Sequence, residues 1–188
     1  MSQNPENLVE QVQETSKNLS RPPIDKWHPE LSGDMDLRIN REGQWIHKGE
    51  PLGREAIVRL FSTILRREED GEYYLVTPVE KWRIQVDDTP LLAHSFQLEG
   101  SGEGQVIKFT TNVGETIEVG DEHPLSVGSY EDTGQPRPVI RVRHGLDARL
   151  VTAAYYDLAE HVVEQTVDGK TVLGVFSAGN FYKIGPGG

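Results

Sequence analysis

The chain has 188 residues, with 30 acids against 19 Lys and Arg, a formal net charge of −11 and no Cys. That charge opposes non-specific binding to nucleic acid or an anionic membrane, because no excess of cations exists to displace counterions. The absence of Cys excludes disulfides, thiolate metal sites and cysteine nucleophiles. A chain of this length forms one large domain or two small ones and needs no staple. No apolar run approaches the ~20 residues of a membrane span. The opening MSQNPENLVEQVQETSKNL lacks the basic and apolar regions of a secretory signal. We therefore expect a cytoplasmic protein that binds no nucleic acid and has no membrane span.

Leu8, Val12 and Leu19 recur at near-helical spacing, and Asn4-Pro5-Glu6 reads as a cap followed by a first-turn proline. Arg21-Pro22-Pro23 ends this short helix. In DMDLRIN, Met35, Leu37 and Ile39 alternate with Asp34, Asp36 and Arg38, the period of a half-buried strand. Asp36 and Arg38 share its solvent face and are placed to neutralise each other. Asn40–Gly43 supplies a turn and QWIH returns as a second strand. A plain hairpin accounts for this spacing without chemistry. The alternative is that His28, Asp34, Asp36 and His47 converge across the turn, as in a metal-assisted hydrolase using His47 with Asp34 or Asp36.

GREAIVRLFSTILRREEDG then carries Ala56, Ile57, Leu60, Phe61, Ile64 and Leu65 as one helical stripe, which Gly71 closes. EYYLV, VEKWRIQV, LLAHSFQLEG, QVIKFTTN, TIEVG and PVIRVRH read as strands separated by Gly and Asx clusters. Consecutive strands favour antiparallel pairing over crossovers. In DARLVTAAYYDLAEHVVEQ a second helical stripe appears at Leu150, Val151, Ala154, Tyr155, Leu158 and Ala159, at a constant offset from the first. An Asp-Gly turn follows each helix, at Asp70-Gly71 and Asp168-Gly169, and later Trp82-Arg83-Ile84 and Tyr182-Lys183-Ile184 match. The fold class expected is α+β, two similar lobes of helix plus antiparallel strands from an internal duplication, with a cleft between them. The divisions are an N-terminal helical segment over 1–21, an N-terminal lobe over 22–88 and a C-terminal lobe over 89–188. Amphipathic helices before hairpins also resemble one another without any duplication.

The motifs of nucleophilic, nucleotide and zinc chemistry are absent: no G-x-S-x-G, phosphate loop, G-x-G-x-x-G before a helix, or HExxH. We assign no catalytic residue, metal ligand or cofactor. His161 sits at the edge of the second helix in a structural role. Arg54 and Arg149 fall in the first turns of the two helices, where a base opposes the helix dipole. Glu55 and Asp147 are candidate compensating carboxylates. A bound phosphate or carboxylate is the functional alternative. Lys81, Arg83, Arg141 and Arg143 add bases on strands, the last two on one face.

The stretches WHPELSGDMDLRINREGQWIHKGEPLGREAIVRLFS, LVTPVEKWRIQV, FTTNVGE, HPL, RHGLDARL, YYDLAE and FSAGNFYKIG together resemble the bacterial DUF1285 family. The resemblance covers nearly all of the chain after about residue 22 and implies a duplicated α+β core whose C-terminal half is pleckstrin-homology-like. It further implies a small-ligand pocket between the halves and a role in signal transduction, with no established reaction. Carried over by motif, the ligand-binding candidates are Asp34, Asp36, Arg38, His47, Arg54, Lys81, Asn112, Arg143 and Ser177. The closing motif departs from the family in placing Asn180 before Phe181 where a second aromatic is common. The expected function is sensing of a small anionic ligand and reporting it to a protein partner. The alternatives are the hydrolase above or a structural interaction module.

Overall fold

The computed structural model describes residues 4–15 and 21–186, so Leu19 lies outside the described residues. The fold is mixed α+β. It divides into one compact unit running to Pro90 and taking in His144–Leu146, and a second of Leu91–Arg143 and Asp147 onward. No helix among the described residues is long and apolar enough to cross a membrane.

The first unit opens with helix α1, Pro5–Thr15, whose start is held by Asn4 Oδ1 accepting the Glu6 N–H at 3.1 Å. Its Leu8 and Val12 are buried in the unit's core. Strands β1 (Gly33–Ile39), β2 (Trp45–His47) and β3 (Glu50–Pro51) form one antiparallel meander. Helix α2 (Glu55–Ile64) leads into a second, β4 (Leu65–Arg67), β5 (Tyr73–Val76) and β6 (Lys81–Val86). The sheet order is β3-β2-β1-β6-β5-β4, with β1 and β6 parallel at its centre. The alternation expected of β1 holds: Met35, Leu37 and Ile39 are buried, while Asp34, Asp36 and Arg38 are exposed. The core gathers these residues with Trp45, Phe61, Ile64, Leu65, Leu75, Trp82, Ile84 and Leu146.

The α2 helix is shorter than its sequence stripe. Ser62 and Thr63 turn their hydroxyls onto the carbonyls of Arg59 and Leu60, each at 2.6 Å. Such back-bonding competes with the helical ladder. The chain leaves the helix after Ile64, and Leu65 pairs with Leu75 instead. Of the stripe, Phe61, Ile64 and Leu65 are fully buried, whereas Ile57 and Leu60 only pack on the core from its margin.

The second unit repeats the strand plan. Strands β7 (Leu91–Glu99), β8 (Val106–Thr111) and β9 (Thr116–Glu118) form one meander, and β10 (Leu125–Ser129), β11 (Pro136–Arg143) and β12 (Leu146–Leu150) the other. The order is β10-β11-β12-β7-β8-β9, and β12 runs parallel to β7. Helix α3 (Thr152–Ala159) and a three-stranded antiparallel sheet of β13 (Val163–Val167), β14 (Lys170–Ser177) and β15 (Asn180–Pro186) complete it.

Two similar lobes are therefore present, but their likeness runs through the strands. Helix α2 lies between the third and fourth strands of its sheet, whereas α3 follows the sixth of the other. The expected equivalence of Ile57 and Val151 fails, because Ile57 is inside α2 and Val151 is the cap before α3. Period-two burial explains the misreading. Leu146, Ala148 and Leu150 are buried and Asp147 and Arg149 alternate with them. That strand supplied the first turn of the helix we expected.

Phe61 is fully buried and its ring lies 6.2 Å from that of Trp45. Phe61→Ala should lower unfolding stability by about 3–5 kcal/mol, because the loss of the ring leaves a cavity between helix and sheet. Urea unfolding measures this, and a loss below about 1 kcal/mol would show that the site collapses around the gap.

Candidate functional site

The sequence-derived candidates separate into several environments. Across β1 and β2, Leu37 faces His47, so His47 shares the core face while Asp34 and Asp36 point away from it. The hairpin thus does not bring His47 together with the two aspartates, and the hydrolase geometry is absent. Among the described residues no group of three or more His, Asp or Glu side chains is placed to hold a metal ion. Arg38 does not pair with Asp36. It forks onto Asp87 at 2.7 and 2.6 Å, which raises its pKa through that hydrogen bond. Asp34 takes Arg83 in the same way at 2.5 and 3.0 Å, and this bond holds its carboxyl below the usual range.

Arg54 is the cap residue of α2 and is exposed, with no side-chain capping bond there. Arg149 is not in a helix but on β12, and Asp147, expected to compensate its charge, accepts a hydrogen bond from Arg141 at 2.6 Å. In the second unit Asn112 ties the end of β8 to β7 by accepting the Leu92 N–H at 3.1 Å, and Arg143 is paired with Glu115. Ser177 is fully buried. Its hydroxyl donates to the Val119 carbonyl at 2.7 Å and accepts the Ile107 N–H at 2.9 Å. That is a structural tie between strands rather than a ligand contact.

Two candidates reach cavities, Asp34 one of about 370 Å³ shared with Glu72, Arg83 and Gln85, and Lys81 a second. The register β4–β5–β6–β1 sets Arg66, Tyr74, Arg83 and Asp34 in one row across four strands. This row lies on the face opposite Leu65, Leu75 and Trp82, and therefore away from the core. At its β4 end a cavity of about 640 Å³ is lined by Asp25, His28, Pro29, the run Arg66–Asp70 and Lys81. Arg66 is anchored by its Nη1, which donates to the carbonyls of Ile24 and Trp27 at 2.8 and 2.7 Å. Its Nε and Nη2 donate to Glu68 Oε2 at 2.9 and 2.7 Å. Lys81 Nζ donates to Glu68 Oε1 at 2.9 Å and lies 4.6 Å from the centre of the Tyr74 ring. The Tyr74 hydroxyl in turn donates to Asp70 Oδ2, while Asp70 Oδ1 accepts the Glu72 N–H at 2.9 Å.

Burial works against the ionised Glu68, but hydrogen bonds from Lys81 and Arg66 outweigh it and hold the carboxyl below its usual range. The bond to Asp70, reinforced by burial, pushes the Tyr74 phenol up to about 12. The same bond and the Glu72 amide lower Asp70. The arrangement offers fixed cations, a fixed phenol and carboxylates around one opening. It presents polar recognition groups and no nucleophile paired with a base. Sequence reasoning missed Arg66, Glu68 and Asp70 because LRREEDG reads as the tail of a helix. Their one visible signal is a dense charge run ending in Asp-Gly.

Comparison with known proteins assigns residues 22–184 to one family. The model of the DUF1285 N-terminal domain, described as a domain of unknown function, matches residues 22–89. The model of the DUF1285 C-terminal domain matches residues 90–184. The crystal structure of a DUF1285 family protein from Silicibacter pomeroyi DSS-3 is 37% identical with a TM-score of 0.82, over 93% of this chain and 94% of that one. A DUF1285 family protein from Shewanella baltica OS155 is 29% identical with a TM-score of 0.52, over 66% of this chain and 91% of that one. No curated protein matches the chain.

Two outcomes test this geometry. The folded state holds the Tyr74 proton more tightly than the unfolded chain, so its contribution to stability is complete below pH ~10 and is lost as pH rises towards 12. Asp70 contributes above the ordinary carboxylate range and loses its share as pH falls through it. In an alkaline absorbance titration Tyr74 should therefore ionise near 12, and Asp70→Asn should bring that step down towards ~10. A late step unmoved by Asp70→Asn would assign it to another cause. Separately, Ser177→Ala should cost about 1–3 kcal/mol in chemical unfolding, because it leaves the Ile107 N–H and Val119 carbonyl unpaired in the interior.

Proposed function

The chain belongs to the DUF1285 family, and from that premise we propose that it binds a small polar ligand with an acidic group in the cavity of its first unit. The observation that carries this reading is the fixing of Arg66 and Lys81 in one opening of about 640 Å³. A volume of this order falls in the range of small-molecule sites, and convergent, immobilised charges are what orient a polar ligand. The lining narrows the ligand class expected from the sequence. Arg66, Arg67 and Lys81 face Asp25, Glu68, Glu69 and Asp70, which suits a ligand carrying an acidic end together with hydroxyl or amine groups better than a simple polyanion. Such a binder would act by reporting its ligand to a protein partner, the signalling role that the family resemblance implies.

A thermal-shift screen of amino acids, dicarboxylates, sugar phosphates and nucleotides, at matched ionic strength, tests the proposal. A ligand at a hundred times its Kd adds about 2.7 kcal/mol to the folded state, and each kcal/mol moves the midpoint by roughly 2–4 °C at this size. At least one class should raise the midpoint by several degrees. The gain should vanish in Lys81→Met and persist in Arg54→Ala, whose side chain does not line the cavity. The reverse pattern would move the site to the start of α2, and no shift with any class would remove the ligand reading.

A further inference from the structure

Glu68 occupies the place that an acidic ligand would need. Its two carboxylate oxygens are divided between two cations, Oε2 taking the Arg66 fork and Oε1 taking Lys81. An isolated ion pair would hold its partners in position by their mutual attraction alone. Here both cations are positioned by contacts that do not involve Glu68. Arg66 is tied through Nη1 to two main-chain carbonyls, and Lys81 lies against the Tyr74 ring, itself held through its hydroxyl by Asp70. The side chains of Arg66 and Lys81 are 12% and 18% exposed, and Glu68 is the most accessible of the three at 24%. Glu68 also sits in the β4–β5 turn, where its backbone pairs with Glu72 and Gly71 at 3.0 and 2.9 Å. Its main chain is thus held by bonds that do not involve the carboxylate.

We propose that Arg66 and Lys81 form an oxyanion subsite that Glu68 closes from within, and that the carboxylate or phosphate of an incoming ligand displaces the Glu68 side chain. This rests on the cavity reading above and specifies how the acidic group enters. A fork donor beside a point charge, both fixed in advance, accepts either a planar carboxylate or one edge of a phosphate. Because the internal carboxylate is tethered, it competes at high effective concentration. Only a ligand with further contacts elsewhere in the cavity overcomes it, so the device screens out bulk inorganic anions. Displacement exchanges one anion for another on the same two cations. It releases Glu68 to solvent, where its charge is rehydrated.

The test uses the intact chain and two probes, inorganic phosphate and acetate, titrated by calorimetry with chloride matching the ionic strength. Wild type should bind both weakly. Glu68→Gln removes the internal anion and keeps the side-chain size, and it should bind at least one probe ten-fold or more tighter than wild type. Adding Lys81→Met to Glu68→Gln should abolish that gain. The preferred probe distinguishes a phosphate ligand from a carboxylate one. Glu68→Asp, whose shorter side chain cannot span both cations, provides a second reading if Glu68→Gln fails to fold, and it should show an intermediate gain. Equal affinities in wild type and in the folded Glu68 variants would overturn the proposal. A ligand that shifts wild type yet binds Glu68→Gln no tighter leaves the cavity reading standing and removes the displacement. A gain in Glu68→Gln with no ligand for wild type shows Glu68 closing an anion subsite that no ligand opens, and it overturns the displacement.

Discussion

Each of the two large sheets depends on one pairing, that of its first strand with its last in parallel. Antiparallel neighbours can be joined by a tight turn, but a parallel pair requires the chain to travel before it returns. In the first unit β1 meets β6 only after four strands and α2 have been laid down. The two meanders grow outward from that central pair, so a strand's place in sequence sets its distance from the centre. At the start of the pairing Gly33 sits at φ +147°, and a Cβ there would lie 3.2 Å from the Trp82 ring. A side chain opposite Trp82 would crowd the indole, and the positive φ favours glycine there. The same plan recurs between β7 and β12, which makes the repeated unit a six-stranded sheet rather than a helix with its hairpin.

This topology also produces the polar row. Strands β4, β5 and β6 follow one another in the chain and β1 joins them from farther off, and their register aligns Arg66, Tyr74, Arg83 and Asp34 on one face. One face of the sheet is covered by α1 and α2 and takes the apolar residues. The other receives the charges, and alternation assigns each residue to one face or the other. The cavity forms where the row meets the edge strand β4, because the turn after it carries Glu68, Glu69 and Asp70 beside the cations. Recognition chemistry thus follows from sheet register rather than from a local motif.

How far the sequence could be read depended on whether competing periods diverged within a segment. In β1 three buried residues alternate with three exposed ones and no helical alternative fits, so strand and faces were legible. In RHGLDARLV the pair Leu150 and Val151 satisfied both a helical stripe and a strand end, and the strand was lost to the helix. The end of α2 was illegible for a related reason. Leu65 continued the helical stripe, while the hydroxyl back-bonding of Ser62 and Thr63 that favours leaving the helix carries no periodic signal. Ion-pair partners were less accessible still. Asp36 and Arg38 are neighbours on one strand face, yet Arg38 meets Asp87, 49 residues away, because the parallel pairing brings the end of β6 beside the end of β1. A partner that depends on tertiary register is not contained in local spacing.

The distribution of charge separates pairs that stabilise little from the cluster that carries specificity. Arg38–Asp87 and Arg83–Asp34 have good fork geometry, but Arg38 and Asp34 are more than half exposed. Water and salt screen such pairs, and their net contribution is small. Arg66, Glu68 and Lys81 differ in being mostly shielded, so each charge depends more strongly on its neighbours and removing one leaves the others poorly solvated. Two cations around a single carboxylate also leave one positive charge uncompensated within the cluster, in a chain whose net charge is −11. Asp70 lies near enough to influence Lys81, but its oxygens already accept from Tyr74 and the Glu72 amide. The residual positive charge is thus held at the cavity wall by main-chain carbonyls and an aromatic ring, neither of which can neutralise it. Asp25, Glu69 and Asp70 also line the opening, so an anion gains this positive charge only by taking the place of the Glu68 carboxylate rather than by adding to it.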